Sequence, residues 1–346
     1  MTLTIIKQGT RNCVVRWKEK VVVHMYKKKR EKGLEKGISA ISAGELKKYF
    51  LAHWQLYLMM LPPLIILLIF SYGPMYGLIL AFKDYKVSLG IGGSPWASNF
   101  GWGNFIRFFD NYNFWSCLKN TLILSVYTML VEIPTAIILA LSLNYVKNKV
   151  FKKAAQMITY CPYFISTIVF VGIINMLMDN RIGVIGNFLY DNFGINILGS
   201  PDLFPSLYVW SGVWQMVGYG SIIYVAALAS VDMQIHEAAI IDGATLLQRI
   251  RYVDIPAILP TAVIMMILNM GRILNMGYEK ILAMQNQMNL STSEVIPTYA
   301  YKVSLVSTFP DFSLATAIGM FQSVIGLILI LTINKLAKKI SGNGLM

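Results

Sequence analysis

The sequence predicts an all-α membrane protein with six transmembrane helices. Hydrophobic residues make up 56% of the chain and charged residues only 14%, and the mean hydropathy is +0.56. Soluble domains carry about 25% charged residues, so this composition is typical of a protein that lies in a bilayer. The apolar residues also cluster in runs of about 20, which is long enough for a helix to cross a hydrocarbon core of roughly 30 Å.

The apolar runs divide the chain into a basic N-terminal segment, a membrane domain and a short tail. Residues 1–52 form the N-terminal segment, in which Ser42 and Glu45 have capping-box spacing and predict a short interfacial helix. Residues 53–335 form the membrane domain, and residues 336–346 form the tail. The predicted spans are about 57–81, 120–143, 156–177, 207–229, 257–276 and 314–334.

The positive charges predict which side of the membrane each loop faces. The chain has 30 Lys and Arg residues and a net charge of +13. About 22 of these residues fall on the side of the two termini and about 7 on the other side, and cytoplasmic loops carry the excess of Lys and Arg. Both termini and the loop 230–256 are therefore predicted to be cytoplasmic. Because the basic residues flank spans, they favour membrane topology and lipid contact over nucleic-acid binding.

The sequence contains none of the common catalytic or nucleotide-binding motifs. It has no G-x-x-x-x-G-K-[ST] phosphate-binding loop, no H-E-x-x-H, no C-x-x-C and no G-x-S-x-G. The cysteines Cys13, Cys117 and Cys161 are dispersed, as are the histidines, which does not suit a metal cluster or a disulfide framework. We therefore expect a chain that is not an enzyme, with no catalytic residue, no metal site and no cofactor of its own.

Polar side chains in the fourth and fifth predicted spans suggest a pathway for a solute. They recur at helical spacing, so each set lies on one side of its helix, and aromatic residues stand among them. Aromatic faces combined with amide and hydroxyl groups suit sugars, which offer C–H faces and many hydroxyl groups. Hydrogen bonding between helices is the alternative use of these side chains. The candidate pathway residues are Trp214, Gln215, Tyr219, Asn269, Arg272 and Asn275.

Glu132 lies in the middle of the second predicted span, where a charged residue is uncommon. A carboxyl group there could carry a proton, and the chain would then be a proton-coupled secondary transporter that works without an ATPase. The alternatives are a carboxylate that is bonded to a neighbouring helix or one that faces an aqueous cavity.

The outward-facing loop 82–119 is rich in aromatic residues. Tryptophan, tyrosine and phenylalanine prefer the headgroup region, so these side chains are expected to form an interfacial belt. A docking surface for an external partner is the other interpretation, and different residues could serve each role. The aromatic residues are Trp96, Phe100, Trp102, Phe105, Phe108, Phe109, Tyr112, Phe114 and Trp115.

Residues 237–256 form a polar, charged stretch between two apolar segments. Two helix-forming runs meet at Gly243 and end at Pro256, which predicts two short helices joined at a bend. The stretch begins Glu237-Ala238-Ala239 and continues with Asp242-Gly243-Ala244. With this spacing it resembles the EAA loop of binding-protein-dependent ABC import permeases, through which a separate ATPase moves the membrane helices.

The resemblance extends from about His53 to the C-terminus and is greatest to permeases for oligosaccharides and polysaccharides, of the alginate and complex-glycan type. It rests also on Pro74-Met75-Tyr76-Gly77 and on Gly277-Tyr278-Glu279-Lys280. The resemblance implies a type I ABC importer permease fold in the plasma membrane of a bacterium. It also implies a second, related permease, two ATPase subunits that bind ATP and Mg, and an extracellular lipoprotein that binds the oligosaccharide and delivers it.

The resemblance assigns roles to individual residues as well. The spans that bracket the EAA loop contribute substrate contacts in maltose-type permeases, which supports Gln215, Tyr219 and Asn269. The expected mechanism is alternating access, in which ATP binding draws the ATPases together and the loop follows them. The loop residues expected to contact the ATPase are Glu237, Ala238, Ala239, Asp242, Gly243, Ala244 and Pro256.

Overall fold

The computed structural model describes residues 52–271, 273–274 and 277–341. Within these residues the regular structure is helical, apart from one isolated bridge between Lys83 and Trp96. The predicted all-α fold class is therefore confirmed. The interfacial helix predicted near Ser42 lies outside the described residues, as do Arg272 and Asn275.

The chain divides into two compact units, residues 1–76 and 77–346. The described part of the first unit is helix α1 (Trp54–Leu67), which continues through a π-helical turn (Leu68–Tyr72) and a further helical turn (Gly73–Met75). Apolar side chains are exposed along its whole length and none of them is buried. A helix that is apolar on all sides is typical of a membrane span.

Twelve further helices are numbered in the described part of the second unit, and shorter turns lie between some of them. They differ in length because some cross the membrane domain and others cover its ends. Their bounds are α2 (Gly103–Phe109), α3 (Asn113–Tyr145), α4 (Lys149–Tyr160), α5 (Thr167–Met178), α6 (Val184–Phe193), α7 (Phe204–Ala229), α8 (Met233–Ile241), α9 (Leu246–Arg249), α10 (Ile255–Gly271), α11 (Tyr278–Met284), α12 (Ile296–Tyr301) and α13 (Phe312–Ser341).

Five helical stretches in the described part of the chain are each long and apolar enough to cross a membrane, and a bent pair of helices gives a sixth. This number agrees with the six predicted spans. Their bounds differ from the prediction, because helices continue beyond the apolar residues at their ends. The five stretches are Trp54–Phe82, Asn113–Tyr145, Phe204–Ala229, Leu246–Gly271 and Phe312–Lys335.

The third predicted span, 156–177, is broken in the structure. It consists of α4, a 3₁₀ turn (Cys161–Phe164) and α5, and the two parts meet at an angle of 101°. Pro162 has no amide hydrogen to donate, and Ile165 and Ser166 have extended backbone. The Ser166 side chain then accepts a hydrogen bond from the Val169 amide, which starts α5. The predicted span 156–177 therefore corresponds to a sharply bent pair of helices.

The loop 230–256 also differs from its prediction. It contains one separate short helix, α8, whereas the second helical run, α9, continues through a π-helical turn (Ile250–Asp254) into α10. Pro256 therefore lies in the first turn of α10 and does not close the loop. A proline cannot donate a backbone hydrogen bond, and π-helical turns are one of the ways in which a helix accommodates such a gap.

Helices α3 and α7 pack along each other and form the centre of the second unit. Near the N-terminal end of α7, Leu124, Phe170 and Val209 are buried where α3, α5, α7 and α11 meet. Towards the loop 230–256, Ala136 and Ala140 of α3 pack against α7 and α10. Small side chains let helices approach closely, and close van der Waals contact is what holds helices together in lipid.

Gly218 permits the closest of these approaches, between α7 and the end of α4. A Cβ atom on Gly218 would lie 1.9 Å from the Thr159 carbonyl oxygen, which belongs to backbone and cannot turn aside. Gly220 lies on the same helix, but the nearest atom to its Cβ position is the Ala136 Cβ at 4.0 Å. Substitution of each glycine in turn therefore distinguishes the loss of close packing from the general effect of replacing a glycine within a helix.

We expect Gly218→Ala to lower the free energy of unfolding by about 1–3 kcal/mol, because it overpacks the contact between α7 and α4. Gly220→Ala is the matched control and should leave stability unchanged or raise it by roughly 0.5–1 kcal/mol, because alanine favours helix interiors. Thermal unfolding of the purified protein measures both. Equal melting temperatures for the two variants would contradict the packing assigned to Gly218.

Candidate functional site

A pocket of about 670 Å³ lies between α3, α7, α10, α11 and the bend that joins α4 to α5. Its size falls within the range of roughly 300–1,000 Å³ that is usual for small-molecule sites. Polar and aromatic side chains from each of these elements reach it. The principal ones are Glu132, Tyr163, Gln215, Tyr219, Asn269 and Lys280.

Two opposite charges stand beside each other at Gly212 in the wall of this pocket. A Cβ atom on Gly212 would lie 3.1 Å from Glu132 Oε1 and 3.2 Å from Lys280 Nζ. Because glycine has no side chain, both charged groups come close to the same point on α7. Glu132 of α3 and Lys280 of α11 therefore approach the same point on α7, where their opposite charges attract each other.

Lys280 is held by further contacts on its buried side. Its side chain is 7% exposed, and Nζ donates a hydrogen bond of 2.9 Å to the Tyr208 carbonyl oxygen. Nζ also lies 4.7 Å from the centre of the Tyr208 ring and 5.7 Å from that of Phe170. Burial lowers the pKa of Lys280 to about 8, against the opposing effect of Glu132.

The bend between α4 and α5 brings an aromatic surface to the pocket. The rings of Tyr163 and Tyr219 stack with centroids 3.8 Å apart and planes at 4°. Gln215 is 3% exposed, and its Nε2 donates a hydrogen bond of 3.3 Å to the Ile165 carbonyl oxygen. The bend leaves that carbonyl without a partner in a regular helix. Gln215 supplies its hydrogen bond and also lines the pocket.

The structure brings together three of the six predicted pathway residues. Gln215, Tyr219 and Asn269 all line the pocket. Trp214 is not among the lining residues, because its ring packs against Phe170 with centroids 5.2 Å apart. Arg272 and Asn275 lie outside the described residues, so their prediction stays untested.

Sequence reasoning missed two residues that line the pocket, Tyr163 and Lys280. Tyr163 fell within the third predicted span, 156–177, and Lys280 within a predicted external loop. The signal for Tyr163 was the neighbouring Pro162, which breaks the helix. For Lys280 no pattern in the sequence showed that α11 folds back onto α7. Glu132, for which proton transport was one of the predicted roles, lines the pocket on the side of Lys280.

The loop that connects α7 to α10 has a defined conformation. Asp232 caps α8, since its side chain accepts a hydrogen bond from the Gln234 amide. At the other end Gly243 has a φ of +75°, and the Ala244 amide donates to the Ala239 carbonyl oxygen at 2.9 Å. This left-handed glycine turn ends α8 and redirects the chain into α9. The bend predicted at Gly243 is therefore present.

The loop presents an exposed surface that is both charged and apolar. Glu237, Ala238, Asp242 and Gly243 are exposed, and Ala239 and Ala244 are half-buried. The apolar side chains around them are exposed too, and Ile241 and Leu247 reach 85% and 76%. Exposed apolar patches of this kind mark surfaces that bind another protein or a membrane.

Comparison with known proteins gives consistent results. The sequence profile of the binding-protein-dependent transport system inner membrane components matches residues 132–342. Protein LplB of Bacillus subtilis is 38% identical over 90% of this chain and 95% of its own length. The polygalacturonan/rhamnogalacturonan transport system permease protein YteP of the same organism is 39% identical over 84% of this chain and 89% of its own length.

A solved structure is similar as well. It is that of a bacterial alginate ABC transporter in complex with an alginate pentasaccharide-bound periplasmic protein. One of its chains superposes with a TM-score of 0.77 at 34% identity, and the match covers 87% of this chain and all of that chain. The arrangement of helices described above is therefore that of a permease subunit of an ABC transporter.

Proposed function

Because the chain belongs to the binding-protein-dependent transport system inner membrane components, we propose that it is the permease subunit of an ATP-driven importer of oligosaccharides. Family membership makes it a multi-pass membrane protein and a transport subunit, not an enzyme. The observation that carries the proposal is that the polar pocket and the exposed loop are built on the same two helices, α7 and α10.

The pocket has the chemistry that an oligosaccharide requires. The stacked pair of Tyr163 and Tyr219 offers a flat apolar surface for the C–H face of a sugar ring. Amide and carboxylate groups nearby supply partners for hydroxyl groups, among them Asn269 and Glu132. The names of YteP and of the alginate transporter specify polysaccharides, which supports this substrate class for the present chain.

The loop is the surface to which an ATPase subunit of the transporter binds. In this proposal α8 is the coupling helix, and an ATPase subunit grips it through Glu237, Ala238 and the exposed apolar side chains around them. ATP and Mg bind to the two ATPase subunits. The loop then faces the cytoplasm of a bacterial cell, together with both chain termini.

Two further partners complete the transporter. A second, related permease closes the pathway on the side that this chain leaves open, and an extracellular lipoprotein delivers the oligosaccharide. ATP binding moves the coupling helix, and α7 and α10 move with it. The pocket, which was open to one side of the membrane, then opens to the other side. In this proposal Glu132 lines the pocket near Lys280, and we do not propose proton-coupled transport.

The aromatic pair gives a direct test of the pathway. Tyr219→Leu removes the stacked surface but keeps an apolar side chain. We expect it to weaken uptake of labelled alginate or polygalacturonan oligosaccharides by about 2–13-fold, since a stacked aromatic contact contributes about 0.5–1.5 kcal/mol. Trp214→Leu removes an aromatic residue of the same helix that does not line the pocket, and it should retain uptake. Both complexes should contain normal amounts of ATPase.

If Tyr219→Leu transports every oligosaccharide that wild-type protein transports, with unchanged apparent affinity, the pocket is not the pathway. Loss of uptake in Trp214→Leu but not in Tyr219→Leu would also contradict the assignment of the pocket as the pathway. Failure of the wild-type protein to accumulate any of these sugars would count against the substrate class instead.

The turn at Gly243 gives a test of the loop. Its Cβ position has no heavy atom within 4 Å, so a side chain there is opposed only by the positive φ. Gly243→Leu should lose ATP-driven uptake by roughly 5–30-fold, because a left-handed conformation costs such residues about 1–2 kcal/mol. Gly243→Asn has a side chain of similar size but tolerates positive φ, and it should retain most of the uptake. Equal losses in the two variants would show that the turn conformation is unimportant.

A further inference from the structure

A cluster of polar side chains lies where α3, α8 and the start of α10 meet. Asp254 is the last residue of the π-helical turn that precedes α10, and it is fully buried. Its Oδ2 accepts a hydrogen bond of 2.5 Å from the hydroxyl group of Tyr145, the last residue of α3. On its other side, Nε2 of His236 lies 3.4 Å from Asp254 Oδ1. His236 belongs to α8, so this one carboxylate touches three elements of the fold.

The cluster is not fully bonded in this conformation. Asp254 Oδ1 is buried and has no hydrogen-bond partner, although the His236 imidazole lies beside it. Arg249 Nε is likewise buried without a partner, and the guanidinium group of Arg249 lies 5.6 Å from the centre of the Tyr145 ring. Buried polar groups nearly always have a hydrogen-bond partner, so a buried carboxylate oxygen without one is unusual. The 3.4 Å contact with His236 is the nearest side-chain contact recorded for this oxygen in the described part of the chain.

Apolar packing cannot hold α8 in place by itself. None of its residues is buried, and its large apolar side chains, including Met233, Ile235 and Ile240, are exposed. His236 is an exception, because only 14% of its side chain is exposed. The contact of His236 with Asp254 is therefore a principal attachment of α8 to the helices that cross the membrane.

We propose that Asp254 is a positioning residue for transport, which fixes the orientation of the coupling helix α8 by binding His236 on one side and Tyr145 on the other. This inference rests on the proposed function. With the attachment intact, a displacement of α8 reaches α3 and α10 together. Without it, α8 moves on its short connections, and ATP is hydrolysed with less movement of the pocket.

The test uses the assembled transporter, with its partner permease and ATPase subunits, in lipid nanodiscs and proteoliposomes. Tyr145→Phe removes one hydroxyl group, Asp254→Asn removes the charge, and His236→Leu replaces the imidazole with a side chain that cannot form a hydrogen bond. Spin labels at the exposed positions Gln234 on α8 and Lys147 after α3 report the orientation of α8 without any substrate. Ser142→Ala is the control, since this exposed hydroxyl near the end of α3 bonds only within its own helix.

We expect a broader distribution of the distance between the labels in all three variants than in wild-type protein or Ser142→Ala. Transport of labelled polygalacturonan or alginate oligosaccharide per ATP should fall by about fivefold or more, the lower end of usual coupling between sites. A purely structural role would lower the yield of complex without changing this ratio.

Unchanged distance distributions in Tyr145→Phe and His236→Leu would overturn the proposal, even if Asp254→Asn does not assemble, because each of these variants removes one of the two contacts. Unchanged transport per ATP in both would overturn it as well. If wild-type protein shows no ATP-driven uptake, the proposed function fails, whereas the distance measurement still decides whether Asp254 positions α8.

Discussion

The exposed loop and the polar pocket are connected through continuous helix. The stretch Leu246–Gly271 begins within the loop and carries Asn269 into the pocket, and at 1.5 Å per residue its 26 residues extend over roughly 39 Å. Helix α7 carries Gln215 and Tyr219 and ends at Ala229, directly before the loop. A helix is stiff along its axis, so a displacement of the loop reaches the pocket instead of being absorbed on the way. The rest of the structure serves to keep these two helices together and the pocket between them open.

The pocket exists because regular packing is interrupted at a few defined places. The bend at Pro162 turns α5 away from α4 and brings Tyr163 against Tyr219. Backbone groups that are released by such a bend must find partners, since lipid supplies none, and Gln215 provides one for Ile165. At Gly212 the missing side chain leaves room for Glu132 and Lys280. Each interruption is compensated by a nearby polar contact.

The sequence predicted the fold class, the number of spans and the bend at Gly243, because these depend on local composition and on the special conformation of glycine. It did not predict the bend in the third span or the continuity of α9 with α10, although Pro162 and Pro256 stand at these places. A proline can break a helix, kink it or be accommodated by a π-helical turn, and tertiary packing selects the outcome. In the site, helical spacing found Gln215 and Tyr219. Periodicity could not find Lys280 or the cluster around Asp254, because their partners are distant in sequence.

The central claim is that movement of the loop reorients the pocket. The most direct measurement is the accessibility of a cysteine at the pocket-lining position Met265 of α10, in a transporter in which Cys13, Cys117 and Cys161 are replaced. A membrane-impermeant thiol reagent is applied to either face of proteoliposomes, with and without ATP trapped by vanadate. The account predicts that Met265→Cys reacts from the cytoplasmic face without nucleotide and from the opposite face in the trapped state. Reaction from the same face at the same rate in both states would contradict it.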